Sequence, residues 1–426
     1  MASVRRPRAA RPAKRSRLAQ TLALARQFGP GLVAGASDND PTTVATLAVI
    51  GSTTGYALSW LVVLTIPMLV VVQLISAAVG AVSRAGLQKI IRLHYGRGWG
   101  WATLLAVLGV NVFTLSADLE GGSAALELLT GWPYRWFLVP FAGAVAALLV
   151  WGSYEHLEHV LRYVLFVFLA YVAAAVLAHP DWLEVARATF IPRFSFSSDY
   201  VAGALALLGT TLTSYAYIWE TIEEAEEQPP LHRLGLVQLD AGVGMVLAGV
   251  IFWFILIGTG ATLGAHHQAV QTAEDAAQAL APLAGHFAAV IFGVGLLASA
   301  VLAVPVLAGT SAYVLADVLG WRAGLNRRFG HARPFYITLL VSLLVAVAVA
   351  FAGVNPIHLL FLSSIAGGLG TPITLALMMR AARDSRVMGS HRIGRGLATC
   401  GWAVTAIVSA ACMAFLWQSL SQAGSS

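Results

Sequence analysis

The chain has 426 residues, of which 58% are hydrophobic and only 11% are charged. Soluble domains are about 45–50% apolar and about 25% charged, so this composition excludes a soluble enzyme, a nucleic-acid-binding protein and a disordered scaffold. The formal net charge of +6 does not change this conclusion, because Lys and Arg beside membrane spans are chiefly topology signals. The only two cysteines, Cys400 and Cys412, share one apolar stretch and indicate neither a disulfide framework nor a metal site. No cofactor is indicated.

The chain begins with a basic tail and continues as a membrane domain. Residues 1–26 contain no acidic residue and no apolar core with a cleavage site, so we interpret them as a cytoplasmic tail rather than a signal peptide. Within 27–426, apolar runs that approach or exceed the roughly 20 residues needed to cross a bilayer occur at about 29–52, 57–82, 102–129, 134–152, 160–178, 200–219, 237–263, 287–317, 335–352, 357–379 and 398–418. The sequence thus predicts eleven transmembrane helices.

The loops between these runs test the predicted number of spans. If the number is right, Lys and Arg should collect in alternate loops, on the cytoplasmic side. With the tail inside, all but three of the 26 Lys and Arg residues fall on the inner side. The three exceptions are Arg135, Arg187 and Arg193. We therefore expect a cytoplasmic amino terminus and an extracytoplasmic carboxyl terminus in the inner membrane. The polar segment 264–286 is predicted to be an external loop with a short helix that starts at Thr272 and Ala273.

The first apolar run is interrupted in its middle by Asp38, Asp40 and Pro41. Pro41 disfavours helical geometry at Asp40, and irregular backbone at membrane depth persists only where it is buried in protein or lines a cavity. A simple proline kink capped by one carboxylate is the alternative, but it explains only one of the two. Intramembrane carboxylates indicate a functional site.

A second break is predicted in the sixth run. Gly209 and the hydroxyl residues that follow it, among them Thr213 and Ser214, lie together at mid-membrane, and hydroxyl side chains compete for helical backbone hydrogen bonds. Helices one and six are the first helices of two five-helix units, at about 29–178 and 200–379. An eleventh helix, at about 398–418, belongs to neither unit. Breaks at corresponding positions of inverted repeats indicate a midplane substrate site in secondary transporters. We predict an all-α integral membrane protein with a five-plus-five inverted-repeat, LeuT-like fold.

Several of these segments resemble one family. The segment 29–86, with its Gly-Pro-Gly start, its Asp-Pro break and its Gly-Tyr before helix two, resembles the opening of the Nramp family of proton-coupled divalent-metal transporters. The likeness continues through Asn111, the segment 116–119, the segment 209–211 and the segment 293–321. It is strongest to a divergent, Nramp-related bacterial branch. The resemblance implies a secondary transporter of divalent cations toward the cytoplasm, with no nucleic acid or protein partner and with proton coupling left open.

The family motifs identify the expected metal ligands. The helix-one motif Asp-Pro-Gly-Asn matches 40–43, so the metal-binding carboxylate is Asp40 and Thr43 replaces the Asn. The helix-six motif Met-Pro-His falls near 213–215 and loses its thioether, its proline and its histidine. Hydroxyls and carboxylates suit hard ions, which makes Mg²⁺ a candidate beside Mn²⁺. The resemblance and the breaks together predict a shell made by Asp40, Asp38, Ser37, Thr43, Thr210 and Thr213.

Three further departures from the family concern proton coupling and the cation path. Asp118 matches a family position on the proton pathway, but Gly121 stands where the second acid is expected, and Glu120 lies on another helix face. Helix ten lacks the family's Gln and carries several glycines with Pro372, which predicts an open or unwound segment. At the inner end of helix six, Glu220 is predicted to face a vestibule and attract cations. The alternative function is a transporter of the same fold for an amino acid or another small organic solute.

Overall fold

The computed structural model describes residues 39–151, 168–266, 268–280, 283, 285–325, 327 and 329–423. Ser37, Asp38 and the basic tail therefore lie outside the described residues. All regular structure in the described part is helical. The helices of the first predicted repeat are α1 (Pro41–Thr54), α2 (Ser59–Ser83), α3 (Leu87–His94), α4 (Arg97–Thr130), α5 (Arg135–Trp151) and α6 (Phe168–Leu177).

The second predicted repeat follows a short surface helix and ends with the additional helix. In chain order the helices are α7 (Trp182–Phe190), α8 (Ser198–Thr211), α9 (Ser214–Glu227), α10 (Leu234–Thr262), α11 (Ala273–Ala277), α12 (Ala288–Leu319), α13 (Arg333–Ala350), α14 (Pro356–Arg383), α15 (Ser385–Met388) and α16 (Arg395–Ala423). Within the described residues, each of the eleven apolar runs overlaps at least one of these helices. Within the described residues, eight helical stretches are long and apolar enough to cross a bilayer, with α8 and α9 taken as one.

Helices at corresponding positions of the two repeats pack against each other. In the numbering of the spans, helix one (α1) contacts helix six (α8), helix two (α2) contacts helix seven (α10), helix three (α4) contacts helix eight (α12), and helix four (α5) contacts helix nine (α13). Such pairing is expected when two repeats are related by a pseudo-twofold axis in the membrane plane. The five-plus-five architecture is confirmed, whereas the repeat boundaries stay predictions.

At both predicted breaks the described backbone is non-helical. The backbone of Asp40 is extended, with φ −68° and ψ 165°, and α1 begins at the next residue, Pro41. Between α8 and α9, Leu212 leaves the helical region and Thr213 is extended, with φ −63° and ψ 141°. The interruption therefore lies where the run of hydroxyl residues predicted it.

The prediction of an open or unwound helix ten is wrong. The helix α14 is continuous over 28 residues and passes through all three glycines and Pro372. The glycines serve close packing instead: a Cβ on Gly209 of α8 would collide with the backbone of Ser364 and Gly368, and a Cβ on Gly367 would lie 2.8 Å from the carbonyl oxygen of Gly209. Small residues let two helix backbones approach closely in a membrane protein.

The short helix predicted in the polar segment 264–286 is present among its described residues. The helix α11 begins after Thr272, whose side chain accepts a hydrogen bond from the Asp275 backbone N–H, while the Asp275 carboxylate accepts one from the Thr272 N–H. This reciprocal capping box satisfies two backbone donors at the start of the helix.

Candidate functional site

The candidate site is built around the first residue before α1. Asp40 is 2% exposed, and one carboxylate oxygen, Oδ1, accepts a hydrogen bond of 2.6 Å from the backbone N–H of Thr43. The other oxygen, Oδ2, accepts a bond of 2.7 Å from the phenol of Tyr215, in the first turn of α9. Because α1 begins here, its first N–H groups have no helical partner. The carboxylate satisfies one of them and lies at the positive end of the helix dipole.

A second carboxylate binds the same helix terminus. Asp118 of α4 accepts hydrogen bonds at its Oδ1 from both the backbone N–H of Thr42, at 3.2 Å, and the hydroxyl of Thr42, at 2.6 Å. Its Oδ2 is buried and has no hydrogen-bond partner among the described residues. Two carboxylates thus converge on consecutive amides of α1, which leaves acceptor capacity at the break.

Hydroxyl groups join the two broken helices around these carboxylates. The hydroxyls of Thr43 in α1 and Thr210 in α8 are 2.8 Å apart. The Thr371 hydroxyl of α14 donates to the carbonyl oxygen of Leu212 at 3.1 Å, and the Ser299 hydroxyl of α12 donates to the carbonyl oxygen of Asn39. Carbonyls released by the two breaks are therefore satisfied inside the protein, as the absence of water in a bilayer requires.

The structure brings together only part of the predicted set. Asp40, Thr43, Thr210 and Asp118 surround the start of α1. Thr213 is buried at the N-cap of α9 and makes no capping hydrogen bond with its side chain. Ser37 and Asp38 lie outside the described residues.

The two predicted glutamates lie elsewhere. Glu120 is fully buried in α4, and neither of its carboxylate oxygens has a hydrogen-bond partner among the described residues. It follows Asp118 by two positions, which places it on a different side of the helix. Glu220 lies in α9 and lines a separate cavity. Neither glutamate is in hydrogen-bond contact with Asp40 among the contacts described.

Sequence reasoning missed Tyr215 and Thr42. Tyr215 belongs to the segment 213–215 that matches the family's Met-Pro-His motif, and its phenol donates a hydrogen bond to Asp40. The available signal for Tyr215 was its position in the first turn of the half-helix that follows the second break. A long side chain at that position can reach the first break. Thr42 replaces the glycine of the family motif. Its hydroxyl, together with its backbone N–H, donates to Asp118 and so connects α4 to α1.

Gly121 has a steric role that explains the missing second acid of helix three. A Cβ at this position would lie 2.8 Å from the Cβ of Pro41. Real Cβ contacts are longer than this, so any side chain at 121 would displace the first residue of α1. An acidic side chain at this position would therefore require α4 and the start of α1 to move apart.

The donors at the site are oxygens. Asp40 and Asp118 supply carboxylates, and Thr42, Thr43 and Thr210 supply hydroxyls. Over the residues that the structure describes, no three His, Cys, Asp or Glu side chains converge closely enough to hold a metal ion. An oxygen-only donor set with two carboxylates suits a hard cation that keeps part of its hydration shell.

Comparison with known proteins decides the family. The family model of the natural resistance-associated macrophage protein-like proteins, Nramp, matches residues 31–418. The divalent metal cation transporter MntH of Deinococcus radiodurans is 32% identical over 411 residues, which cover 92% of this chain and 90% of that protein. The chain belongs to the Nramp family. The resemblance inferred from the Asp-Pro break and the neighbouring motifs is confirmed.

Solved structures give the same fold at lower identity. A crystal structure of a manganese transporter of Eremococcus coleocola matches this Nramp chain with a TM-score of 0.77 and 19% identity, over 96% of this chain and 88% of that one. The transporter MhsT in complex with L-phenylalanine matches with a TM-score of 0.62 and 15% identity, over 93% and 98% of the two chains. At these identities the likeness establishes the shared fold.

The Tyr215 hydrogen bond predicts a loss of stability on its removal. Tyr215→Phe should lower the free energy of unfolding by about 2 kcal/mol, because a hydrogen bond to a charged, buried group contributes about 1.5–3 kcal/mol. Thermal unfolding of the purified protein in detergent measures the change. Tyr171→Phe is the matched control, since Tyr171 is also buried and its hydroxyl makes no hydrogen bond within the described ranges. Equal melting temperatures for the two variants would contradict the role of the Tyr215–Asp40 contact.

Proposed function

We propose that this Nramp chain is a secondary transporter of divalent cations of the Mg²⁺ or Mn²⁺ class, with Asp40 as its principal ligand. The observation that carries the proposal is the buried carboxylate of Asp40 at a backbone break, with Asp118 bound to the next amide of the same helix. Family membership supports it, as does the relative from Deinococcus radiodurans, which is named as a divalent metal cation transporter. Transport is directed across the inner membrane toward the cytoplasm, with the amino terminus inside, and this orientation rests on the distribution of Lys and Arg.

The proposed shell extends from Asp40 to the neighbouring oxygens. The hydroxyls of Thr43 and Thr210 are in hydrogen-bond contact between α1 and α8. Thr213 is the last non-helical residue of the break in helix six. Ser37 and Asp38 complete the proposed set. A cation at Asp40 competes with the phenol of Tyr215 for Oδ2, so binding exchanges a contact between α1 and α9 for a contact with the ion. This exchange couples occupancy to the relative position of the two half-helices, which move with their repeats in alternating access.

The alternative function is transport of an amino acid or another small organic solute, and charge disfavours those solutes that carry a carboxylate. In transporters of this fold, the amino end of a half-helix points at the anionic group of the substrate. Here the first amides of α1 are bound by Asp40 and Asp118 of the chain itself. A carboxylate substrate at this terminus would find these amides already bound by two carboxyl groups, whereas a cation is attracted to carboxylate oxygens.

The first prediction concerns the ligand. Asp40→Asn should abolish cation binding at the break and uptake into proteoliposomes, because the amide keeps an acceptor for the Thr43 N–H but removes the charge. Asp199→Asn, at an exposed position in the first turn of α8, is the matched control and should transport normally. A folded Asp40→Asn protein with unchanged uptake would refute the assignment of the metal site.

The second prediction concerns selectivity. Thr213 stands where the family motif has methionine, and a thioether favours softer metals. Thr213→Met should raise the affinity for Mn²⁺ or Cd²⁺ relative to Mg²⁺ by about tenfold, which corresponds to about 1.4 kcal/mol. Calorimetric titration with each ion measures the ratio, and Thr211→Met is a control whose side chain bonds only within α8. An unchanged ratio would remove Thr213 from the shell.

The third prediction concerns proton coupling. Gly121 leaves no space for a second acid beside Pro41, and Asp118 is bound to Thr42, so the family's acidic pair is incomplete. We expect uptake to follow the cation gradient with little acidification of the proteoliposome lumen, as measured with an enclosed pH-sensitive dye. Cation-driven proton entry that disappears in Asp118→Asn would establish symport instead.

A further inference from the structure

A groove with a largely apolar lining lies between the surface helix α7 and the membrane helices α2 and α10. Its volume is about 230 Å³, and α7 supplies five of the lining residues, while α2 and α10 supply two each. The hydroxyl of Thr189 in α7 accepts a hydrogen bond of 3.2 Å from the indole N–H of Trp253 in α10. These two polar groups of the lining already bind each other, so the groove offers mainly apolar surface to a third group.

The spacing of the α7 residues explains how one helix lines the groove. They occupy positions i, i+3, i+4, i+7 and i+8, which form one face of a helix: Trp182, Val185, Ala186, Thr189 and Phe190. Val185, near the middle of this face, is buried, whereas Trp182 and Phe190 at its two ends are exposed. The face is therefore packed against the protein at its centre and reaches the surface at both ends.

The helices beneath the groove are already in close contact. A Cβ on Gly249 of α10 would collide with the side chain of Ile66 in α2, and Ile66 is itself part of the lining. The hydrogen bond between Thr189 and Trp253 also fixes the distance of α7 from α10. Closer packing of these helices therefore does not fill the space. Lipid tails are as apolar as leucine side chains, so an acyl chain matches this lining.

The residues around α7 are typical of a segment at the membrane–water interface. The helix α7 connects helices five and six on the side that the distribution of Lys and Arg predicts to be outside. Four large apolar side chains at its carboxyl end and just beyond it are exposed: Phe190, Ile191, Phe194 and Phe196. Exposed aromatic residues interspersed with arginines indicate contact with lipid headgroups and the adjoining acyl chains.

Two arginines at the carboxyl end of α7 provide charge for a headgroup. Arg187 lies in the last turn of α7, Arg193 follows the helix, and both are exposed. Neither forms an ion pair within the part of the chain that the structure describes. Asp181 lies at the other end of α7, where its carboxylate caps the helix by accepting from the N–H groups of Leu183 and Glu184. A guanidinium binds phosphate oxygens in a bidentate geometry.

We propose that this groove binds one membrane phospholipid, with an acyl chain between α7, α2 and α10 and the phosphate at Arg187 and Arg193. The apolar lining recognises the chain, and the two unpaired guanidinium groups recognise the phosphate. The lipid contacts helices of both predicted repeats and the helix that connects them, so its binding stabilises their packing on this side of the molecule. The site is independent of the cation assigned to Asp40.

The test measures lipid binding to the delipidated full chain in a neutral detergent by native mass spectrometry. Titration with phosphatidylglycerol should show one tightly retained molecule per chain. The double variant Arg187→Gln, Arg193→Gln should bind it at least about tenfold more weakly, as expected for loss of hydrogen bonds to a charged group. Ala186→Phe, which fills the groove and keeps both arginines, should weaken binding as well. Diacylglycerol with the same acyl chains, which lacks the phosphate, should not be retained.

The control is the third arginine on the predicted outer side. Arg135 is exposed, does not line the groove, and lies over the ring of Tyr134 at the start of α5. Arg135→Gln should therefore bind phosphatidylglycerol as the wild type does, and equal weakening by this variant would show nonspecific attraction by charge. Equal retention of phosphatidylglycerol and diacylglycerol by the wild type would overturn the phosphate contact. Competition by glycerol 1-phosphate, which has no acyl chain, would show a site for free phosphate and overturn the lipid assignment.

Discussion

A helix that begins in the protein interior leaves its first backbone amides without helical partners, and in this chain two carboxylates bind consecutive amides of α1. Thr42 donates to Asp118 and Thr43 donates to Asp40. The first contact fixes α1 to α4, and the phenol of Tyr215 extends the second contact to α9. Three spans are thus joined at one backbone break, so the same requirement that stabilises the break also concentrates negative charge there.

Close backbone packing allows the hydroxyl groups around the break to meet. Gly209 of α8 lies against the backbone of α14, and this approach accompanies a 2.7 Å contact between the hydroxyls of Thr46 in α1 and Ser364 in α14. Gly121 allows a similar approach of α4 to Pro41. Gly209 and Gly121 therefore allow the close helix packing that accompanies polar pairing in the core, while α14 stays a continuous helix.

The carboxylates of Asp40 and Asp118 are held at the break by backbone amides and hydroxyls of α1 and by the phenol of Tyr215. This arrangement suits an ion that exchanges some of its water for protein oxygens. The environment supplies oxygen donors, in agreement with the loss of the family's thioether.

The sequence by itself determined the class of protein, the positions of the spans and both breaks, because these follow from local chemistry. Pro41 lacks an N–H, hydroxyl side chains compete for backbone hydrogen bonds, and about 20 apolar residues cross a bilayer. Only the tertiary structure decided that Tyr215 binds Asp40, that Thr42 binds Asp118 and that Gly121 touches Pro41. It also reversed the expectation for helix ten, since glycine and proline that locally favour unwinding instead allow a neighbouring backbone to approach. These contacts join residues far apart in the chain, where composition and spacing carry no information about distance.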